Sequence, residues 1–422
     1  MASRAPRAVW VLSRPITNAS RYRCNNAIVA VGGTGETITG RGHATHVYAD
    51  DRPTSMEERT REHTKENVSV RSPRRYWSKA EIKAIYDSPL LDLVFRAAQA
   101  HRVTHDPSKV QLCTLMNIKS SYCSQSARYE TSTKASRLLS VEPVLEAARK
   151  AKENGSTRFC MGAAWRTATG RPRSFNNILT MVREIRGMGM EVCTTLGMLT
   201  PEEAKQLKEA GLTAYNHNLD TSREYYPEVI TTRSYDDRLN TIEAVRSAGI
   251  SVCSGGILGL GESDNDRVGL IWEVSNFEEH PESFPVNALV PIPGTPMENN
   301  PPVPVHTLLR TIATARIVLP ETIIRLSAGR QTLSETEQAM CFMAGANAIF
   351  TGDAMLTTPC SPWDESQDKA MMERWGLSGM RSFEQPGVKA KERARQHAAE
   401  GRRVDDTAIA SPLPLPQVQS AL

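Results

Sequence analysis

A chain of 422 residues that is 40% hydrophobic and 23% charged can bury a large core, and it contains no run approaching the about 18 apolar residues that a membrane-spanning helix needs. The formal charge of +4 is local in origin: residues 1–49 carry Arg4, Arg7, Arg14, Arg21, Arg23 and Arg41 against the single acid Glu36, so the rest of the chain is close to neutral. That balance argues against a nucleic-acid partner, which would need clustered Lys and Arg on the folded body, and eight dispersed cysteines do not form a disulfide framework.

In chain order, the Arg- and Ser-rich, acid-poor start followed by a polar stretch reads as a mitochondrial presequence and linker over residues 1–75. Residues 76–108 form a helical lead-in, with Leu90, Leu91, Leu93 and Val94 marking an apolar face. From Lys109 onward short β-branched runs alternate with longer amphipathic ones, the pattern of repeated βα units around a parallel sheet. Eight strands are expected, at Val110–Met116, Thr157–Ala163, Glu191–Leu196, Thr213–Leu219, Ile250–Ile257, Pro285–Val290, Ile323–Ser327 and Asn347–Phe350. Thr200-Pro201-Glu202-Glu203 supplies a capping box with a first-turn proline, and Ser334 with Glu337 repeats the box. No dinucleotide fingerprint follows the first strand, so the expected fold is an α/β (β/α)8 TIM barrel over residues 109–385 rather than an open doubly wound sheet. The charged run beyond Pro386, with Pro412, Pro414 and Pro416, reads as a loose tail over 386–422.

Three cysteines fall in or at the ends of expected strands: Cys160, Cys193 and Cys253. Any one alone is most simply a small buried hydrophobe; three on strands two, three and five of one barrel suggest thiolate ligation of iron in its interior. Cys253 opens Cys-Ser-Gly-Gly-Ile-Leu-Gly-Leu-Gly-Glu, whose Gly255 and Gly256 permit close backbone approach and which ends on Glu262. Asn216, Asn218 and Asp220, around His217, bring amides and a carboxylate to the end of the fourth strand, the catalytic face of such a barrel.

These segments, with Val286-Asn287, Arg325-Leu-Ser-Ala-Gly-Arg330, Tyr215-Asn-His-Asn-Leu-Asp220 and Met340-Cys-Phe-Met-Ala-Gly-Ala-Asn347, resemble biotin synthase, a radical S-adenosylmethionine family, from about Arg75 to Trp375. The resemblance implies a barrel of the radical SAM type that inserts sulfur into dethiobiotin by way of a 5′-deoxyadenosyl radical. It implies that Cys160, Cys193, Cys253 and Arg325 ligate a sulfur-donating 2Fe-2S cluster. By the same resemblance Asn216, Asn218, Asp220 and Asn287 line the sites for dethiobiotin and S-adenosylmethionine, with Asn218, Asp220, Gly255, Gly256 and Glu262 on the cofactor side. It further implies a homodimer, iron–sulfur assembly proteins and an electron donor, and the presequence composition points to the mitochondrion.

One segment departs from the family. The 4Fe-4S cluster that binds S-adenosylmethionine requires Cys-x3-Cys-x2-Cys after the first strand, whereas here Asn117-Ile-Lys-Ser-Ser-Tyr-Cys123-Ser-Gln-Ser-Ala-Arg-Tyr129 holds Cys123 alone. Cys113, on the strand, cannot restore that spacing. Three accounts stay open: a short in-frame piece lost at a mis-drawn exon boundary, a genuine deletion, or ligation by a cysteine from elsewhere, such as Cys113 or Cys24. The second would leave a catalytically inactive or repurposed paralogue that keeps the 2Fe-2S cluster or binds ligand.

Overall fold

A computed structural model describes residues 74, 76–119, 136–352 and 365–383. Cys123, most of the presequence and linker, and the 386–422 tail lie outside these residues.

Two helices, α1 (Lys79–Tyr86) and α2 (Leu90–Thr104), precede the barrel. Ser78 and Glu81 close a capping box on α1, worth about 1 kcal/mol. In α2, Leu93, Val94, Ala97, Ala98 and His101 form the buried stripe, at the helical spacing that puts one face on the core.

The barrel follows as β1 (Lys109–Lys119), β2 (Arg158–Ala163), β3 (Glu191–Thr195), β4 (Ala214–Asn216), β5 (Ser251–Cys253), β6 (Gly256–Leu258), β7 (Ser283–Ala288), β8 (Ile323–Leu326) and β9 (Ala348–Thr351). Neighbours pair in parallel in the order β1-β2-β3-β4-β5-β7-β8-β9, and β1 pairs back onto β9, so the sheet closes on itself. This is the expected eight-stave α/β barrel, with β5 and β6 sharing one stave. Strands buried on both faces are read from near-continuous apolar runs; β2, whose six residues are all buried, is such a strand. Around it, α4 (Pro172–Gly187) buries Phe175, Ile178, Leu179, Met181, Val182 and Ile185. The caps read from the sequence at Thr200 and Ser334 are present, on α5 (Pro201–Glu209) and α10 (Glu335–Met343). No helix among the described residues is long and apolar enough to cross a membrane.

Two differences from the expected strands matter. The fifth strand is not continuous over Ile250–Ile257: it breaks between Cys253 and Gly256, because the backbone of Gly255 lies directly on Pro285, where a Cβ would sit 2.1 Å from the carbonyl oxygen. The sixth expected strand, Pro285–Val290, begins at Ser283 and ends at Ala288. A short strand β10 (Ser378–Gly379), not foreseen, pairs with the start of β1. It arrives after α11 (Glu365–Arg374), which is fastened to the barrel by a buried pair: Arg330 donates to both carboxylate oxygens of Asp368 at 2.8 and 2.7 Å.

Candidate metal centre and active site

Cys160 on β2 and Cys193 on β3 stand opposite each other in register, so side chains on two adjacent parallel strands point the same way from one rung. Cys113 of β1 joins them in a small buried cluster completed by Ala214. Cys253 lies on the next staves, in register with Asn216 of β4, whose Nδ2 is 3.4 Å from its sulfur. Arg325 of β8 reaches in from the far side: Nη1 is 3.9 Å from the Cys253 sulfur and Nη2 donates to Gln111 Oε1 at 2.6 Å. Cys160, Cys193, Cys253 and Arg325 thus line one interior space, as expected, and Cys113 and Gln111 are additions to it that spacing did not single out.

The electrostatics of that space are set by deep burial and by the neighbouring cations. Burial pushes the Cys113 thiol well above its ordinary range, against the pull of Arg325. At Cys160 the Cys113 contact lowers the value, but Cys193 and burial together raise it well above normal. Burial acts to lower Arg325, yet the surrounding Cys113 and Cys253 thiols win and hold its proton more firmly. Binding metal here therefore means losing thiol protons, with Arg325 and nearby Arg158 offsetting the thiolate charge.

These residues fit a two-iron cluster. Among the described residues no three His, Cys, Asp or Glu side chains converge on a single ion; instead the donors come two by two, Cys160 beside Cys193 and Cys253 beside Arg325. Buried Arg325 Nε also has no hydrogen-bond partner, an outstanding requirement that a bound group would meet. The sequence supplies one of the three cysteines that a Cys-x3-Cys-x2-Cys loop would bring to a 4Fe-4S cluster. Cys123 is the lone cysteine of its segment, and Cys113 is turned inward, its sulfur 3.6 Å from Gln111 Oε1.

At the C-terminal end of the strands the amide groups meet. Asn216 donates to Asn218 Oδ1 at 3.3 Å, and Asn218 Oδ1 also accepts from Gly255 N at 3.3 Å. Asn287 bridges two staves, donating to Gly256 O at 2.9 Å and accepting from Ala328 N at 3.3 Å. All three asparagines are half-buried. Asp220 sits just beyond with φ 70°, a conformation that costs about 1 kcal/mol or more for a residue other than glycine. It is held there by backbone bonds, its N–H to Gly255 O and its carbonyl accepting from Ile257 N. Gly256 is required opposite, since a Cβ would lie 2.7 Å from Asp220 O.

Arg238, which spacing did not mark, pairs with Asp220 at 2.5 Å and donates to Asn218 O at 2.6 Å and Tyr226 Oη at 2.8 Å. Burial raises the Asp220 carboxyl against the opposing pull of Arg238. Glu262 accepts from Gly259 N through both oxygens, at 3.0 and 3.1 Å, and from Arg267 Nε at 2.8 Å. Those contacts hold the turn after β6. The expected residues Asn216, Asn218, Asp220, Asn287, Gly255 and Gly256 are therefore gathered on one face, with Glu262 beside them.

Comparison with known proteins agrees with this geometry. A radical SAM superfamily model matches residues 117–271, and a biotin and thiamin synthesis associated domain model matches residues 285–378. A mitochondrial biotin synthase from Emericella nidulans is 61% identical over 76% of this chain and 82% of its own. The biotin synthase of Schizosaccharomyces pombe is 59% identical over 74% of this chain and 88% of its own. This chain belongs to the biotin synthase family. Among bacterial members, the biotin synthase of Cytophaga hutchinsonii is 56% identical over 74% of this chain and 93% of its own. A solved structure of methylornithine synthase superposes with TM-score 0.62 at 17% identity over 75% of this chain and 96% of its own, a likeness of fold.

Proposed function

We propose that this chain is a biotin synthase that inserts sulfur into dethiobiotin, the last step in making biotin, with S-adenosylmethionine as co-substrate. The observation that carries this reading is the interior set of Cys160, Cys193, Cys253 and Arg325, one donor from each of four barrel staves. When bound there, a 2Fe-2S cluster supplies the sulfur atom that closes the new ring. The carbons that receive it carry no acidic hydrogen, so no side-chain base could activate them, and the family supplies a radical for that reason.

The chain's own residues bind, orient and exclude. Asn216, Asn218 and Asn287 offer a donor and an acceptor each, the complement of a cyclic urea with its N–H groups and carbonyl. The Asn216–Asn218 bond and the backbone bonds of Asn287 keep them aligned before substrate arrives, which reduces the ordering cost of binding. The strained Asp220 and its Arg238 partner suit the hydroxyls and charged ends of a nucleoside co-substrate. Gly255 and Gly256 bring backbone close enough for a ligand to pack on it. Closed barrel walls keep water from the reacting carbons.

Relatives from three eukaryotes bear the name mitochondrial biotin synthase. With the Arg-rich start, that supports a mitochondrial location; the family resemblance alone implies a homodimer, iron–sulfur assembly proteins and an electron donor. The test is anaerobic reconstitution with iron and sulfide, followed by iron counting, electron paramagnetic resonance and conversion of labelled dethiobiotin. Biotin formation accompanied by a reduced 4Fe-4S signal supports the reading. Two irons per chain with no product would instead identify a 2Fe-2S protein that does not turn dethiobiotin over, the alternative that the single Cys123 favours.

A further inference from the structure

Cys113 is a thiol of the barrel interior to which the sulfur-insertion reading gives no task. It is 0% exposed, and a cysteine so buried is most simply a small hydrophobe. Its surroundings, however, are those of a donor. Cys113 packs in one cluster with Cys160 and Cys193, and its thiol meets that of Cys160. On the other side its sulfur lies 3.6 Å from Gln111 Oε1, the same oxygen that accepts from Arg325 Nη2 at 2.6 Å. Arg325 Nη1 in turn lies 3.9 Å from the Cys253 sulfur. The side chains therefore follow one another around the interior space as Cys193, Cys160, Cys113, Arg325 and Cys253, and Gln111 links Cys113 to Arg325.

The orientation of Gln111 is fixed from below. Its Nε2 donates to Glu191 Oε2 at 3.2 Å, and that oxygen also accepts from Arg158 Nε and Nη2 at 2.9 and 2.6 Å. Arg158 Nη2 reaches Glu282 Oε1 at 2.5 Å as well. With its amide nitrogen so committed, Gln111 presents its oxygen to Cys113 and Arg325. Of those two neighbours the thiol is the better iron donor. A guanidinium carries five N–H donors and no acceptor lone pair, whereas a cysteine binds metal as its thiolate, and four cysteines are the usual complement of a 2Fe-2S cluster. Arg325 Nε, buried without a partner, is a donor suited to hydrogen-bond a cluster sulfur.

We propose that Cys113 provides the fourth thiolate of the interior cluster, with Arg325 beside it donating hydrogen bonds to sulfur and offsetting the added negative charge. The inference rests on the sulfur-insertion reading for the presence of a cluster and changes only which side chain closes its ligand set. When Cys113 gives up its proton to bind iron, Gln111 Oε1 still accepts from Arg325, so no buried acceptor is orphaned.

The full-length chain is loaded anaerobically with sulfide and isotopically enriched iron, and the oxidised cluster is read by Mössbauer and resonance Raman spectroscopy. The expected wild-type result is a single quadrupole doublet, from two irons in like sulfur environments, and Arg325→Lys is expected to keep it. Cys113→Ser, which puts oxygen in place of sulfur at nearly the same volume, is expected to split the doublet, shift the iron–sulfur bands and bind iron about tenfold less tightly against a chelator, as loss of even a supporting contact would. Cys341→Ser, at a buried thiol on α10, is expected to change none of these. Two distinct doublets in the wild type, or a Cys113→Ser cluster that matches the wild type, would overturn the inference; the wild-type spectrum decides it even where Cys113→Ser does not fold. A wild-type chain that takes up no 2Fe-2S cluster would overturn the sulfur-insertion reading as well, and an all-thiolate cluster in a chain that converts no dethiobiotin would sink that reading alone.

Discussion

Replacing Gly255 by alanine should damage the metal centre without touching any of its ligands. The added Cβ would lie 2.1 Å from Pro285 O, 2.8 Å from Pro285 N and 2.9 Å from Pro285 C, where ordinary contact begins near 3.4 Å. All three atoms are backbone, so no rotamer change relieves the clash, and β5 and β7 must part by roughly 1 Å, at a cost near the upper end of the overpacking range, about 3 kcal/mol. Pro285 is in register with Arg325 on the neighbouring stave, so the displacement is passed to the guanidinium that faces Cys253. The expected outcome is a thermal midpoint of the apo chain lower by about 5–10 °C, together with reconstituted iron content well below wild type. Gly187→Ala is the control: no atom lies within 4 Å of its Cβ, and a helical glycine replaced by alanine gains about 0.5–1 kcal/mol. If Gly255→Ala matched Gly187→Ala in midpoint and in iron content, the contact between Gly255 and Pro285 would not be what breaks the fifth stave.

Arg330→Met should strand Asp368 in a buried site and cost about 3–5 kcal/mol, seen as faster limited proteolysis in residues 365–383; adding Asp368→Leu should restore most of the resistance. Stability should fall on acidification from pH 7 to 5.5. His101 and His105 are held down to about 3 and about 2, chiefly by burial and then by Arg316, and His217 lies well below 6.5 through burial, then Arg238 and Arg233. Because these folded-state values lie below the unfolded value of about 6.5, stability is complete above that pH and is lost beneath it, at about 1 kcal/mol per histidine over this interval. Urea midpoints at the two pH values measure it, and equal midpoints would contradict the burial of these rings. Asn287→Ala should weaken binding of dethiobiotin by about tenfold, the worth of one to two hydrogen bonds, with little change in thermal midpoint; isothermal titration reads both partners' affinities.

The barrel was legible because its strands are buried on both faces and its helices carry caps at their starts. The eight apolar runs at βα spacing require no tertiary knowledge, and Thr200 and Ser334 announce their helices locally. The break in the fifth stave was not legible, since Gly255 meets Pro285 only after β5 and β7 come together. The cysteine ligands were marked by residue type on strands, whereas Cys113 was weighed only as a loop ligand and its place beside Cys160 follows from the closure of the sheet. Arg158 and Glu191 did leave a signal, a charge two residues before a strand cysteine and hence on its face. Their partner Glu282 precedes its strand and gives none. Arg238 lies 18 residues beyond Asp220, on the helix Tyr235–Ser247, and pairing at that separation has no local signature.

The four interior donors belong to four different staves, and what separates them is ladder spacing rather than the length of any connection. Insertions or losses in the surface segments therefore leave this set at fixed separations, while a ligand group carried on one connection stands or falls with that connection's length. The two halves of the chemistry in this family are thus exposed to genetic change to very different degrees. The lone Cys123 stands on a connection of that second kind, whereas Cys160, Cys193, Cys253 and Arg325 stand on staves.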